Sequence, residues 1–457
     1  MRFWTGLPLE KLTLLAVLAV GAFYLFVLPP NSAPDEPMHF QSAYYNVNAV
    51  LGQNTDDVTK ITMRAGDAGM EEKYNGIANR ETYERLAKSI FLPIPAADAK
   101  LVEISRASGV PHPYIYFPQT LGMLFGRMFQ ANPEWLFLLG RIFNLIFYAV
   151  CIWMAIKLAP VGKGVFALVA LYPMALELAA SLSSDTYTTA LAFLALAQYL
   201  RIAYADGPAR WRDLLMMLLT MALMGPPKVV FIPMMMLALF LPGRCFGTRK
   251  MAVLFRVLVA AVGIATVFIA LYVYVHRADG GVPVVTFEDI EVNTVNNLVS
   301  DPVLFAKTCK RTLEGYFGFY LFSMIGSDLG WLDIHLNKVP FLAFLALSVV
   351  PAFKASAVEK TLLIRDRLQF PLIFLVAALG TAIVMFLSWT PVGSWDIIGL
   401  QGRYYLPAWP LFILFAARWA KPVRPSWLSD KNLVLANCCL QVFVLVSAYI
   451  FISGRNP

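Results

Sequence analysis

The sequence predicts an all-α integral membrane protein with about eleven spanning helices and a long first external loop, and three observations lead there. Of the 457 residues, 59% are apolar and only 14% charged. A soluble domain carries roughly 25% charged residues, so this chain cannot cover a water-facing surface. The mean hydropathy is +0.63, and at about 20 apolar residues per span the apolar share feeds roughly ten to twelve helices. Lys and Arg also recur between the apolar runs in an alternating pattern that orients each of them. The net charge of +8 therefore belongs to cytoplasmic turns, and no nucleic-acid partner is expected. Five cysteines without a C-x-x-C spacing imply neither a disulfide framework nor a zinc site.

The first apolar run, residues 12–28, follows Arg2 and Lys11 and lacks an Ala-x-Ala cleavage site. It reads as the first span, with the amino end in the cytoplasm. Residues 30–133 form the longest polar stretch, the first external loop. Within it, residues 114–129 are apolar but short and carry Pro118, Gly122, Gly126 and Arg127. They read as a helix lying at the outer membrane interface. Spans then follow at 135–158, 166–180, 189–203, 214–224, 229–241, 253–275, 341–352, 372–389, 406–419 and 434–452. Residues 276–339 form a second external loop. With this assignment Lys157, Lys163, Arg201, Arg210, Arg212, Arg244, Arg249, Lys250, Lys354, Lys360, Arg365, Arg367, Lys421, Arg424 and Lys431 all lie inside. Reading 114–129 as a span would place every one of them outside. Residues 1–457 thus form one polytopic membrane domain without an internal repeat, which argues against an inverted-repeat transporter.

With that topology the unusual polar residues gather on the external face. Asp35 and Glu36, between Pro34 and Pro37, suit the first turn of a helix, where acids meet the positive end of the dipole. The same position would hold one carboxylate as a general base toward an acceptor hydroxyl, with His39 one turn further on. Arg403 lies in a run of small and aromatic residues after Gln401, and its planar fork suits a pair of phosphate oxygens. Lys228, after two prolines, is its natural partner or else a snorkelling anchor. Arg141, with Asn144 one turn away, is a functional candidate as an intramembrane arginine; its structural alternative is a pair with Glu134 or Asp185. His112 sits between two prolines that hold it extended. Ser183-Ser184-Asp185 also reads as a helix cap. Asp328 and Trp331 form a carbohydrate-facing pair, with an interfacial Trp331 as the alternative. No Gly-rich phosphate loop, nucleotide fingerprint or Ser-His-Asp spacing is present.

The ordered series Pro34-Asp35-Glu36-Pro37-x-His39, His112-Pro113-x-x-Tyr116, Arg141-x-x-Asn144, Ser184-Asp185, Pro227-Lys228, Gly330-Trp331 and Gly402-Arg403-Tyr404-x-x-Pro407 resembles the DUF2142 family of predicted bacterial membrane proteins. Tyr114 departs from the second proline that often follows His-Pro there. That family in turn looks like a branch of the GT-C glycosyltransferases, polytopic bundles that take a sugar from a polyprenyl-phosphate carrier on the outer side of the membrane. The resemblance implies that Asp35 is the base, Glu36 its neighbour or substitute, and Arg403, Lys228 and Arg141 the donor-phosphate ligands. His39, His112, Tyr116, Asn144, Asp185, Asp328, Trp331, Gln401 and Tyr404 would bind substrate. It further implies a bacterial inner-membrane location with an external, periplasmic site, a polyprenyl-phosphate sugar donor, and a glycan or lipid acceptor. One base and no second nucleophilic carboxylate imply inversion. Since basic residues are present for the phosphate, no metal is expected to be required; a divalent cation on Asp35 and Glu36 is the alternative. A lipid-linked sugar flippase and an oligosaccharide polymerase or ligase using a lipid pyrophosphate stay open.

Overall fold

The computed structural model describes residues 6–57, 59–95, 97–106, 113–226, 228–276, 291–353, 362–416 and 424–455. His112, Pro227, Lys354, Lys360 and Lys421 lie outside the described residues. The fold is mainly helical. Its α-helices of seven or more residues are α1 (Leu9–Val27), α2 (Glu36–Leu51), α3 (Arg80–Ser89), α4 (Phe117–Met128), α5 (Pro133–Leu158), α6 (Lys163–Ala170), α7 (Pro173–Ala179), α8 (Asp185–Ala203) and α9 (Trp211–Met224). They continue as α10 (Arg249–His276), α11 (Pro302–Ile325), α12 (Val339–Val349), α13 (Ile364–Trp389), α14 (Trp409–Ala416) and α15 (Asp430–Ser453). Two small antiparallel pairs complete it: β1 (Lys60–Arg64) with β2 (Leu101–Ser105), and β3 (Asp328–Leu329) with β4 (Ile334–His335).

Among the described residues, five helices are long and apolar enough to cross a membrane: α1, α5, α10, α13 and α15. The count of about eleven is not confirmed: the other six segments expected to span do not form helices of that length and hydropathy among the described residues, and the reasons are local. Residues 166–180 break into α6 and α7, because Pro173 has no N–H and holds Tyr172 extended at φ −65°, ψ 140°. The break frees carbonyls that hydrocarbon cannot satisfy. Gln441 on α15 donates to the Leu171 carbonyl at 2.5 Å and accepts from the Tyr24 hydroxyl at 2.9 Å, so α1 and α15 repair it. Residues 229–241 form a 3₁₀ helix, Val229–Met235, with Pro233 inside, followed by one α turn. Helix α9 has 14 residues, a length of about 21 Å against the ~30 Å of hydrocarbon. Residues 402–408 are likewise 3₁₀, with Pro407 inside, ahead of α14.

Two further features lie in the stretches read as loops. The second loop, 276–339, contains the 24-residue helix α11. Lys307, Lys310, Arg311 and Glu314 interrupt its hydropathy, while its second half from Tyr316 onward is apolar. Helix α4 does not lie alone: a Cβ on Gly122 would come within 2.2 Å of the Leu139 carbonyl oxygen, so α4 and α5 meet backbone to backbone as a hairpin. Helix α8 lies at the centre, with every residue but Arg201 buried. A helix buried all round belongs to the core. By contrast α10 and α13 are mostly uncovered, and apolar side chains such as Phe268 and Leu375 face outward.

Candidate active site

The α1–α2 connection carries the first part of the site. Asn31 and Asp35 both adopt left-handed backbone, φ 65° and φ 58°, which costs a residue with a Cβ about 1 kcal/mol or more. Asp35 caps α2 through its backbone, its carbonyl taking the His39 amide at 3.1 Å, while its side chain makes no cap bond. Pro37 follows in the first turn, as the sequence predicts. The Asp35 carboxylate turns instead to Arg403, with Nη2 to Oδ2 at 2.9 Å.

Arg403 reaches that point because Gly402 seats the 3₁₀ segment against α11. A Cβ there would meet the Tyr320 carbonyl oxygen at 2.3 Å. The guanidinium is buried, only 3% exposed as a side chain. Its Nε lies 3.5 Å from Asp185 Oδ2, and neither Nε nor Nη1 has a hydrogen-bond partner among the described residues. Burial opposes its charge, but Asp185, Tyr404 and Asp35 outweigh burial and hold the group above its ordinary pKa. Asp185 also accepts from Lys228, whose ammonium lies 5.6 Å from the Tyr404 ring centroid. The result is an alternating row, Asp35, Arg403, Asp185 and Lys228, built from four separate stretches of chain.

His39 and Tyr116 flank the row. His39 Nδ1 and the Tyr116 hydroxyl are 2.7 Å apart. Burial lowers the His39 pKa from its ordinary value; Asp35 and Asp185 pull it up, and Arg403 and Lys228 push it further down. Gln401 precedes the arginine with its side-chain oxygen buried and unpartnered among the described residues. Sequence reasoning thus named Asp35, His39, Tyr116, Asp185, Lys228, Arg403 and Tyr404, and the fold gathers them.

Other named residues have scaffold positions. Glu36 is fully buried and paired with Arg141, with Nε to Oε1 at 2.8 Å and Nη2 to Oε2 at 2.6 Å. Glu36 Oε1 also accepts the Leu182 amide at 3.0 Å. The remaining Arg141 donors go to the carbonyls of Leu25, Leu28 and Pro29. With every donor engaged, Arg141 has nothing to offer a phosphate, and its partner is Glu36 rather than Glu134 or Asp185. Glu36 in turn is no substitute for Asp35, and the two acids do not converge as a cation chelate. Among the described residues no three His, Cys, Asp or Glu side chains cluster in a way that would hold a metal ion. Asn144 is fully buried and bonds Ser181 O at 2.8 Å, Thr186 Oγ1 at 3.1 Å and Gln119 Nε2 at 3.1 Å. It holds the turn that presents Asp185 and does not face a ligand. Asp328 binds His335 Nδ1 at 2.8 Å across the β3–β4 hairpin. Trp331 at the hairpin tip donates to Asn31 O at 2.9 Å and so braces the loop that carries Asp35.

Sequence reasoning missed Glu177. It lies on α7, fully buried, accepts the Gly330 amide at 2.7 Å, and leaves Oε2 without a partner among the described residues. A lone glutamate in an apolar run was the available signal. Sequence reasoning also missed an apolar cavity of about 430 Å³ between α11 and α13, lined by Tyr320, Leu375, Leu379, Tyr405, Trp409 and Phe412. It begins two residues from Arg403. A buried cation with an open donor, two residues along the chain from an apolar cavity, can take an anionic head and an apolar tail.

The comparisons with known proteins agree with the membrane character of the chain and extend no further. No curated protein and no solved structure matches the chain. The model of the family described as "Predicted membrane protein (DUF2142)" matches residues 18–412, a stretch that takes in every residue of the row and both faces of the cavity. The chain belongs to the DUF2142 family of predicted membrane proteins.

Proposed function

We propose that the chain is a membrane glycosyltransferase that moves a sugar from a polyprenyl-phosphate donor to an acceptor hydroxyl on the external face of a bacterial inner membrane. The observation that carries this is Arg403: a buried guanidinium whose Nη1 has no partner among the described residues, sharing Asp185 with Lys228 and standing two residues along the chain from Tyr405, which lines the apolar cavity. A buried polar group without a partner is costly, and a phosphate oxygen at Nη1 satisfies it with a charge-assisted hydrogen bond. The cavity then receives the isoprenoid chain.

The two carboxylates of the row have different surroundings. The Asp185 side chain is 12% exposed and held between both cations, whereas that of Asp35 is 38% exposed and has one cation. Asp35 is therefore the base. Asp35 is paired with Arg403 through Nη2; a donor phosphate that shares the charge of Arg403 weakens this pairing and lets the Asp35 carboxylate accept the acceptor hydroxyl's proton. The acceptor oxygen then bonds to the anomeric carbon as the bond from that carbon to the phosphate oxygen breaks. The lipid phosphate leaves as an anion, stabilised by Arg403 and Lys228 without needing protonation. A single displacement inverts the anomeric centre.

The test is transfer of radiolabelled sugar from a panel of polyprenyl-phosphate sugars in membranes, with wild type beside Asp35→Asn and Arg403→Ala at matched expression. Asp35→Asn is expected to bind donor and lose transfer, and Arg403→Ala to lose donor binding. Equal transfer in all three rejects the assignment. Labelled lipid crossing the membrane without sugar transfer identifies a flippase instead.

A further inference from the structure

The row and its cavity account for the donor, yet a second concavity remains. A cleft of about 1110 Å³ opens between the first external loop and the tip of the β3–β4 hairpin. Pro37 and Met38, in the first turn of α2 just beyond Asp35, form one wall; Glu71, Glu72 and Asn75 form another; Trp331 and the Asp333–Arg455 pair close it. We propose that this cleft binds a neutral, hydroxyl-rich glycan as the acceptor, an inference that rests on the transferase reading and names the second substrate of the same site.

Three observations converge. Trp331 is 44% exposed and lines the cleft; an accessible indole there is a stacking platform for a sugar ring. Its N–H is already committed to Asn31, so the face and not the polar edge is offered to a ligand. Carboxylates only accept hydrogen bonds and an amide both gives and accepts, so Glu71, Glu72 and Asn75 match a surface of hydroxyls. Charge narrows the class further. Asp333 is neutralised by Arg455 at 2.6 Å, while Glu71 and Glu72 have no basic partner among the ion pairs of the described residues, so the cleft repels an anionic glycan. Its size suits a ligand of several rings, and its wall at Pro37 and Met38 places the ligand beside the helix start that carries the base.

Equilibrium dialysis of labelled trisaccharides tests this on the full chain in nanodiscs, with maltotriose, cellotriose and chitotriose as neutral probes and trigalacturonate as the anionic one. A neutral trisaccharide is expected to bind wild type and to bind about tenfold more weakly to the Glu71→Ala, Glu72→Ala double variant, the loss of roughly one charge-assisted hydrogen bond. Both residues are exposed, so the fold tolerates the change. Trp331→Phe keeps a ring and retains binding, and Trp331→Ala loses it, which separates stacking from the bond to Asn31. Binding of polyprenyl phosphate, measured in parallel, is expected to be the same in wild type and the double variant. The inference is overturned if no neutral trisaccharide binds, if the double variant binds like wild type, or if only trigalacturonate or a lysine-rich peptide binds. Should the sugar arm behave as expected while polyprenyl phosphate fails to bind wild type, the glycan cleft stands and the transferase reading falls.

Discussion

Asp35 and Glu36 are neighbours in sequence with opposite surroundings, and stability separates them. Glu36 and Arg141 form a buried pair, and removing one partner of such a pair costs about 3–5 kcal/mol. Glu36→Ala is therefore expected to lower the thermal midpoint sharply in detergent, and Arg141→Ala likewise. Asp35→Asn breaks a half-exposed contact and is expected to change stability by less than about 1 kcal/mol. Asp35→Gly goes further: it removes the base and relieves the φ 58° backbone, and is expected to gain about 1 kcal/mol while losing transfer. A destabilised Asp35→Gly would show that the Arg403 contact outweighs the backbone. His39 gives a pH signature. Burial lowers its pKa, with Asp35, Asp185, Arg403, Lys228 and Tyr116 the charged and titratable groups around it. The unfolded chain then takes the proton first. Stability from neutral His39 is complete above the ordinary value of 6.5 and is lost as pH falls below it. Wild type is expected to lose more of its thermal midpoint than His39→Gln between about pH 7.5 and 5.5; equal losses would place the titration elsewhere.

At the scale of elements, the site depends on interruptions of helices. The α6–α7 break presents Glu177 to Gly330, and Gly326, at φ 118°, lets the hairpin approach the Met174 backbone. Trp331 then fastens that hairpin to the Asn31 loop. Glu177→Gln keeps an acceptor for the Gly330 amide and is expected to leave folding and transfer close to wild type. Glu177→Leu leaves that amide unpaired, at a cost of about 1–3 kcal/mol, and loosens the loop that carries Asp35; the expected result is a fall in kcat at unchanged donor affinity. Gly402→Ala is a sharper change, since backbone on α11 occupies the place of its Cβ. It is expected to cost about 1–3 kcal/mol from overpacking and to abolish phosphate binding by displacing Arg403. Titration with polyprenyl phosphate checks both.

For the whole molecule, the relevant arrangement is a buried charge row whose flanking residues lead to two concavities, Tyr405 to the apolar cavity and Pro37 to the external cleft. The two concavities divide the ligand by chemistry: the cavity is almost wholly apolar and suits a chain, whereas the cleft sets Glu71, Glu72 and Asn75 among apolar residues and suits a sugar with hydroxyls and an apolar ring face. Filling the cavity with Leu379→Trp is expected to weaken binding of long polyprenyl phosphates while leaving farnesyl phosphate nearly unaffected. Equal weakening of both would mean that the tail lies elsewhere.

Composition determined the membrane character, because apolar content and scarcity of charge need no tertiary information. All four members of the row were also legible as candidates: Asp35, Asp185, Lys228 and Arg403 are polar residues at the ends of apolar runs, and burying such residues needs a purpose. Helix count was not legible in the same way. Hydropathy averages over a window and does not register that Pro173, Pro233 and Pro407 remove backbone donors, nor that four charges in α11 sit on one half of a continuous helix. Nor can a sequence say which acid of an adjacent pair is engaged. That Glu36 pairs with Arg141 and Asp35 with Arg403 follows from contacts between residues 105 and 368 positions apart, and only the packed helices decide them.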